Sequence, residues 1–434
     1  MRHIPSRRAA LALAVSMAAT AVLAACGTGG GDASGELSEE PVTLRFTWWG
    51  SDARHQRTQQ VIELFQKAHP NITVKGEFKE WNGYWDSLAT TVAANDAPDI
   101  IQMDELYLAS YAERGALLDL GTASKHLSTA DFDPNALGTG KIDGKQYALP
   151  AGLSTYAIVV NTDLLAQYKV PLPDDATWTW DDLKSLGAQV SKASGGTVTG
   201  VQSWGFDAGG VNIWARQAEA SLYDAEGNVA IPPQVLASYW QYLADLAKEK
   251  IAPAPSVTIE RAGAGLDQSG TATNTSAFAT WWNTQLTSLA AASGQNLKLL
   301  RLPGEAANAG AYYKPSMFWS VSARSKHPAE AALFVDFLAN DQQAAEVLLT
   351  DRGVPANPKI RTAITPKLTA TDKAAAEFLD TVTVSEPPRV TPNGASGIEG
   401  ILKRHTEEVL FGRMTPQQAA ERFIAELQAE IDAA

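Results

Sequence analysis

Cysteine is almost absent from this sequence: only one of its 434 residues, Cys26, is a cysteine. No disulfide can therefore form within the chain, and the fold must depend on its hydrophobic core. Basic residues are also few, with 35 Lys and Arg against 48 Asp and Glu and a formal net charge of −13. A chain this acidic lacks the basic surface that nucleic acids require, and anionic membranes repel it. We therefore expect no nucleic-acid partner.

The motifs of several enzyme classes are missing as well. The segment 152–156 begins like the nucleophile elbow of a serine hydrolase but lacks its last glycine. No His-Glu-x-x-His motif occurs among the six histidines, and the segment 140–145 does not have the spacing of a phosphate-binding loop. No residues show the spacing of a metal site. We therefore expect no catalytic residues, no cofactor and no metal.

The first 25 residues have the pattern of a signal peptide. Three arginines, Arg2, Arg7 and Arg8, precede the apolar segment 9–25, which is too short to span a bilayer. Leu23–Cys26 resembles the lipobox of bacterial lipoproteins, in which the cysteine is acylated and becomes the mature N-terminus. We therefore predict that residues 1–25 are removed and that a lipid on Cys26 anchors the protein to the outer face of the cell membrane. The alternative is that Cys26 is a small buried side chain.

A flexible tether follows, because residues 26–40 are rich in Gly, Ser, Asp and Glu and lack apolar periodicity. The folded part is expected to begin near Pro41. The paired arginines after Ser6 leave both the Sec and the twin-arginine export routes open.

The folded part alternates strands with helices. Strand patterns at 42–48, 72–78 and 98–103 enclose helical patterns at 59–68 and 85–94, and a helix restarts at 106–112. This order predicts an α/β fold with a parallel sheet and right-handed crossovers. The segment 141–147 predicts a hairpin with an Asp-Gly turn. A further strand is predicted at 156–160, and helices at 180–191 and 233–250.

Several short segments, in order, resemble the family 1 extracellular solute-binding proteins of ABC importers, the group that includes the maltodextrin-binding proteins. They are Ala97–Asp104, Tyr111–Leu120, Asp143–Pro150, Val160–Leu165, Trp178–Leu183, Lys326–Ala332 and Arg352–Asn357. The resemblance extends from about Val42 to the end of the chain.

This resemblance implies a two-lobed periplasmic-binding-protein-like (type II) fold with three hinge crossings and a ligand in the cleft between the lobes. We place the crossings near 151–154, 312–316 and 352–356. Residues 41–152 and 314–352 then form lobe 1, and residues 153–313 and 353–434 form lobe 2. The resemblance further implies a monomeric, exported receptor that is not an enzyme. Its partners would be a carbohydrate and the permease subunits of an ABC transporter, with the membrane reached only through the lipid on Cys26.

A sugar site needs aromatic rings for the C–H faces of the sugar and planar polar groups for its hydroxyls. Such residues occur together at the predicted strand ends and hinge crossings, and the resemblance places ligand contacts on many of these loops. The predicted ligand-binding residues are Trp49, Asp52, Trp81, Tyr84, Asp104, Glu105, Tyr107, Ser154, Thr155, Trp204, Asp207, Trp281, Asn283, Trp319 and Arg352.

Other interpretations remain open for some of these residues. Most tryptophans are core residues, and the helical spacing of Trp85 and Trp240 indicates that both are structural. One residue of each adjacent strand pair faces the cleft, so either Trp281 or Trp282 could be the ligand contact. Asp104 and Glu105 are expected to accept hydroxyl hydrogen bonds. The functional alternatives are a receptor for a non-sugar solute, such as a polyamine or an amino acid, and a carbohydrate-active enzyme.

Overall fold

The computed structural model describes residues 33–50, 52–79, 81–262 and 264–434. The predicted signal peptide, Cys26 and the first part of the tether therefore lie outside the described residues. Within them, no helix is long and apolar enough to cross a membrane.

The strands of the described chain form two main sheets and a separate hairpin. Their bounds are β1 Val42–Trp49, β2 Ile72–Lys79, β3 Ile100–Met103, β4 Lys141–Ile142, β5 Lys145–Gln146, β6 Leu149–Ser154, β7 Tyr156–Asn161, β8 Thr199–Val201, β9 Ser276–Trp282, β10 Leu297–Leu300, β11 Lys314–Val321 and β12 Val354–Pro355.

Helices cover both sheets. They are α1 Asp52–Ala68, α2 Trp81–Ala93, α3 Glu105–Glu113, α4 Pro134–Gly138, α5 Thr162–Tyr168, α6 Trp180–Ala193, α7 Ala208–Gln217, α8 Pro233–Lys248, α9 Pro255–Ala262, α10 Leu286–Ser293, α11 Pro328–Asn340, α12 Gln342–Leu348, α13 Pro358–Ile364, α14 Ala370–Leu379, α15 Ile398–Leu410 and α16 Pro416–Asp432. Short 3-10 helices occupy Leu120–Ala123, Leu266–Gln268, Asn283–Gln285, Thr365–Lys367 and Ala395–Gly397.

The first sheet has the strand order β12-β6-β11-β3-β1-β2 and forms the base of the first lobe. β1 pairs in parallel with β2 and with β3, which confirms the predicted β-α-β-α-β unit. Both faces of this unit are covered by helices, so its apolar side chains are buried on both sides. Phe46, Trp48 and Phe334 lie in its core. The predicted hairpin is present as β4 and β5, and Asp143 and Gly144 both have positive φ at its turn.

The second sheet has the order β10-β7-β9-β8 and forms the base of the second lobe. β7 runs antiparallel to β9, and β8 runs parallel to it. Trp240 of α8 is fully buried, and its indole N–H donates to Thr406 Oγ1 at 2.9 Å. The packing of α8 against α15 and α16 thus completes the core of this lobe.

The chain changes lobes at strand junctions. It leaves the first sheet after Ser154 and enters the second at Tyr156, so Thr155 alone separates the two. It returns to the first sheet at Lys314, the first residue of β11. These junctions lie close to the crossings expected from the sequence. The architecture is the two-lobed α/β fold that the resemblance implied.

The third expected crossing, at 352–356, is wrong. Val354 pairs with Leu153 of β6, so β12 still belongs to the first sheet. Ile360 of α13 then packs with Ala345 of α12, which extends the first lobe beyond residue 352. The change of lobe comes at α14, where Ala376 joins the core of the first lobe and Phe378 joins a cluster under the second sheet.

Candidate ligand-binding cleft

A cavity of about 170 Å³ lies between the lobes at the carboxyl end of β3. We call it the interlobe cavity. Both lobes contribute to its walls, as expected for a cleft that hinge rotation opens and closes. Its lining residues are Trp81, Asp104, Glu105, Leu106, Thr139, Asp207, Ala208, Gly209, Asn212, Leu222, Tyr223, Trp282, Tyr312, Tyr313, Lys314, Pro315, Pro387, Pro388, Arg389, Val390, Thr391, Ile398 and Glu399.

Two adjacent acids reach the cavity from the first lobe because β3 ends there and α3 begins. Asp104 caps α3, and its Oδ1 accepts the backbone N–H of Leu106 at 3.0 Å. Glu105 forms an ion pair with Lys314, the residue at which the chain returns to the first sheet. A hinge residue thus carries the main positive charge of the cavity.

The charges of the cavity change its pKa values. Burial alone would lower the pKa of Lys314, but Glu105 and Asp104 outweigh burial and raise it above its ordinary value. Burial raises the pKa of Glu105, and Lys314 opposes that rise. Burial also raises the pKa of Glu399 to about 7, and the nearby Asp207 adds to the rise. Lys314 therefore stays protonated at neutral pH, whereas Glu399 is partly protonated.

The second lobe contributes an acid and a tryptophan that hold each other in place. Asp207 caps α7 by accepting the backbone N–H of Gly209 at 2.5 Å. Its other oxygen accepts the indole N–H of Trp282 at 3.2 Å. Trp282 also packs edge-on against Tyr156, with ring centroids 4.4 Å apart, and Lys314 Nζ lies 5.6 Å from its ring centroid. The indole is thereby fixed at the boundary between the lobes.

An aromatic cluster supports the opposite wall. Trp81, the first residue of α2, is 38% exposed and lines the cavity. It packs edge-on against Trp49 and Trp85, at centroid distances of 5.0 and 5.4 Å. Tyr107 stacks on Trp85 at 3.9 Å. Because its neighbours hold it in place, the exposed surface of Trp81 can serve as a platform for a flat apolar group.

A second cavity of about 320 Å³ adjoins the first within lobe 2, and we call it the lobe 2 cavity. It shares Asp207 and Trp282 with the interlobe cavity. Its lining residues are Tyr156, Gln202, Ser203, Trp204, Phe206, Asp207, Pro253, Thr258, Arg261, Ala262, Ala264, Gly265, Leu266, Ser269, Thr280, Trp281, Trp282 and Gln285. Two of its hydroxyls, Ser203 Oγ and Thr280 Oγ1, are buried and find no partner in the described part of the chain. A buried hydroxyl without a partner requires an explanation, and a bound ligand would supply one.

Six of the predicted residues line the two cavities: Trp81, Asp104, Glu105, Trp204, Asp207 and Trp281. Of the adjacent pair, both Trp281 and Trp282 line the lobe 2 cavity, and Trp282 alone reaches the interlobe cavity. Adjacent side chains of a strand point to opposite faces, but Trp282 is the last residue of β9. The alternation therefore does not decide which of the two indoles faces the cleft.

The other predicted residues lie outside both linings. Trp49, Tyr84 and Tyr107 belong to the aromatic cluster behind Trp81. The Tyr84 hydroxyl donates to Gln102 O at 2.5 Å. Asp52 is exposed at the start of α1. Ser154 and Thr155 are buried at the first crossing.

Asn283, Trp319 and Arg352 line neither cavity, because the polar groups of Asn283 and Arg352 are already used and Trp319 is buried. Asn283 Oδ1 accepts the N–H of Thr155 at 2.8 Å, and its Nδ2 donates to Ala375 O. Trp319 is 1% exposed. Arg352 lies over its ring and donates to side chains of the first lobe at 2.7–3.2 Å, namely Gln102, Thr58 and Asp351. These residues brace the hinge and the first-lobe core.

Several residues of the interlobe cavity were not predicted from the sequence. Asn212, Tyr223, Tyr312, Lys314, Arg389 and Glu399 all line it without having been singled out. Lys314 had a usable signal, since it lies in the expected second crossing. Glu399 had none, because it starts a helix far along the chain from any strand of the sheets.

Comparison with known proteins connects this chain with a family. The family model for bacterial extracellular solute-binding proteins matches residues 60–377. The diacetylchitobiose binding protein of Streptomyces coelicolor is 28% identical over 125 residues, which is 29% of this chain and 29% of that protein. The chain thus aligns with under a third of this curated relative's length.

Solved structures match over nearly the whole fold. A family 1 extracellular solute-binding protein from Alicyclobacillus acidocaldarius is 30% identical, with a TM-score of 0.76 over 91% of this chain and 99% of that one. An oligogalacturonide binding protein from Yersinia enterocolitica is 22% identical, with a TM-score of 0.79 over 90% and 99% of the two chains, and shows the same fold. This chain belongs to the bacterial extracellular solute-binding proteins.

Proposed function

We propose that this protein is the lipid-anchored carbohydrate receptor of an ABC importer, and that it binds a di- or oligosaccharide between its lobes. The observation that carries the proposal is the pairing of indole rings with hydrogen-bonding groups in the cleft. Trp81 and Trp282 line the interlobe cavity from opposite lobes, with Asp104 and Asp207 beside them. Rings for the C–H faces of a sugar thus stand beside acceptors for its hydroxyls.

The two adjoining cavities support a ligand of more than one sugar ring. The lobe 2 cavity has its own indole wall in Trp204 and Trp281, together with the unpartnered hydroxyls of Ser203 and Thr280. Every residue that lines it comes from the second lobe. A sugar ring can therefore dock there before the lobes close, and a second ring is enclosed when the first lobe brings Trp81, Asp104 and Glu105 over it.

The wider role rests on the family and on the N-terminal pattern. Proteins of this family are extracellular, and acylation of Cys26 would hold this one at the outer face of the membrane. The closed form would then be recognised by a separate permease. The indoles that line both cavities favour the receptor for sugars over the other candidates, a receptor for a non-sugar solute and a carbohydrate-active enzyme.

A thermal-shift screen of the purified full-length protein against mono-, di- and oligosaccharides tests the proposal. A ligand at 100 times its Kd adds about 2.7 kcal/mol to the free energy of unfolding, so the midpoint should rise by several degrees. A rise confined to a few related saccharides supports a sugar receptor. Cooperative melting with no rise for any saccharide, together with a rise for a polyamine or an amino acid, would replace it with the non-sugar receptor. Release of product from a chromogenic glycoside would indicate an enzyme.

Removing the exposed indole separates ligand binding from folding. We expect Trp81→Ala to weaken saccharide binding by about 10- to 100-fold, the range of a well-placed aromatic contact. Phe411→Ala is the matched control, because Phe411 is 46% exposed and does not line either cavity. Isothermal titration should show a loss for the first variant only. Equal affinities for both variants would remove Trp81 from the site.

A further inference from the structure

The interlobe cavity is lined by more acidic side chains than basic ones. Its lining holds four carboxylates, those of Asp104, Glu105, Asp207 and Glu399, against two cations, Lys314 and Arg389. Lys314 is already paired with Glu105. Arg389 is exposed. The lobe 2 cavity differs, because its one acid, Asp207, is accompanied by Arg261.

Helix capping explains only part of this arrangement. Asp104 and Asp207 cap α3 and α7, and Glu399 lies in the first turn of α15, where an acid favours the helix dipole. Each acid is thus at a position where helices commonly have one. Three separate helix starts nevertheless deliver their acids to one cavity, where like charges repel; Asp104 and Asp207 are half-buried there, and Glu399 is exposed. The Glu399 side chain has no hydrogen bond or ion pair to any described residue, so its carboxylate remains available.

A second feature of the same cavity indicates an occupant. Tyr223 is one of its lining residues and is 4% exposed, with its hydroxyl buried. This hydroxyl finds no hydrogen-bond partner among the residues that the structure describes. A buried hydroxyl left unpaired costs about 1–3 kcal/mol, which a ligand that bonds to it recovers. The wall of the cavity therefore contains an unpaired hydroxyl, and its lining offers an excess of carboxylates to a cation.

We propose that the saccharide carries a basic amino group, as an amino sugar or an aminocyclitol unit, and that its ammonium is held by Asp207 and Glu399. This inference rests on the proposed function. An ammonium supplies three N–H donors and one positive charge, and hydrogen bonds between ionised partners are among the strongest in proteins. The same lining repels saccharides that carry carboxylates, such as uronic acids.

Matched saccharides test the inference on the full-length protein. Isothermal titration would compare glucose with its 2-, 3- and 6-amino derivatives, and the β-1,4-linked glucosamine disaccharide with its N-acetylated form and with cellobiose. At pH 7 we expect an amine to bind at least about tenfold more tightly than its neutral counterpart, with galacturonic acid not binding. Because salt screens charge pairs, the advantage of the amine should shrink between about 20 mM and 500 mM salt.

The outcomes distinguish the proposed preference for an amine from the proposed sugar receptor. Neutral saccharides that bind as tightly as their amines, or binding of galacturonic acid, would overturn the amine and leave the sugar receptor intact. Spermidine binding more tightly than every saccharide, or no binding by any saccharide, would overturn both.

A charge variant locates the effect. Glu399→Gln keeps the size of the side chain and removes its charge. We expect it to weaken binding of the amine-bearing saccharide about tenfold more than binding of the neutral counterpart. Glu421→Gln makes the same charge change at an exposed site on α16, where Glu421 accepts from Gln417 at 2.8 Å, and should change neither affinity. An equal loss for both saccharides, or no loss in Glu399→Gln, would contradict the assignment.

Discussion

The two adjoining cavities differ in how the chain builds them. The interlobe cavity draws its walls from both lobes and is crowded with charge, whereas the lobe 2 cavity is formed by one lobe and is lined mainly by indoles, hydroxyls and amides. A cavity made by one lobe persists when the lobes separate. A cavity shared by two lobes is completed only on closure, so contacts made there determine whether a bound solute drives closure.

Asp207 belongs to both cavities, and its removal should have the largest effect on binding. Asp207→Ala deletes the acceptor of the Trp282 indole N–H and an acceptor for the ligand in either cavity. We expect affinity for every saccharide ligand to fall by about 100-fold, near 2.7 kcal/mol. The lost helix cap should lower the free energy of unfolding by about 1 kcal/mol. Titration and chemical denaturation measure the two effects, and a loss of stability without a loss of affinity would show that Asp207 is structural.

A smaller change isolates the lobe 2 cavity. Thr280→Val replaces an unpartnered hydroxyl with a methyl group, so we expect stability to be unchanged or slightly higher. Affinity for an oligosaccharide should fall by about three- to tenfold, while a monosaccharide bound between the lobes should be unaffected.

Thr406→Val is the matched control for that variant. Thr406 is fully buried, and its hydroxyl donates to Gly205 O at 2.5 Å and accepts from Trp240. Its loss should cost about 1–3 kcal/mol of stability with no change in affinity. If both threonine variants destabilise the protein equally, Thr280 is a core residue and the lobe 2 cavity is not a ligand site.

The effect of pH on the free protein concerns stability and not affinity, and it should come from the interlobe cavity. The pKa of Glu399 is raised to about 7, so the folded state keeps a proton that the unfolded chain has already lost. The free energy of unfolding should therefore fall as pH rises from 4.5 towards 7 and receive no further contribution above that range. Glu399→Gln should reduce this slope. Identical pH profiles for the two proteins would show that folding does not raise the pKa of Glu399.

The sequence predicted the fold better than the cleft, for a physical reason. Strand and helix periodicity is local, so β1 to β3 and the hairpin could be located from neighbouring residues. The acids after β3 were found because ligands of α/β proteins bind at the carboxyl ends of the strands. Residues brought in by long-range packing gave no such signal. Arg352 resembled a hinge ligand, yet its donors are taken up by Gln102 and Thr58. Glu399 reaches the cavity only because α15 packs beside α7.

The third crossing was misplaced for the same reason. The segment 352–357 follows the family pattern, but β12 is a two-residue strand whose pairing with β6 cannot be seen in the sequence. The helix α14, which contacts both lobes, has no turn or break that distinguishes it from helices within one lobe.

The most direct test of the account is a crystal structure of the full-length protein with the saccharide that gives the largest thermal shift. The account predicts density for a sugar ring between Trp81 and Trp282, within hydrogen-bond distance of Asp207, and a second ring in the lobe 2 cavity beside Thr280. A saccharide bound outside both cavities, with the lobes in an unchanged arrangement, would contradict it.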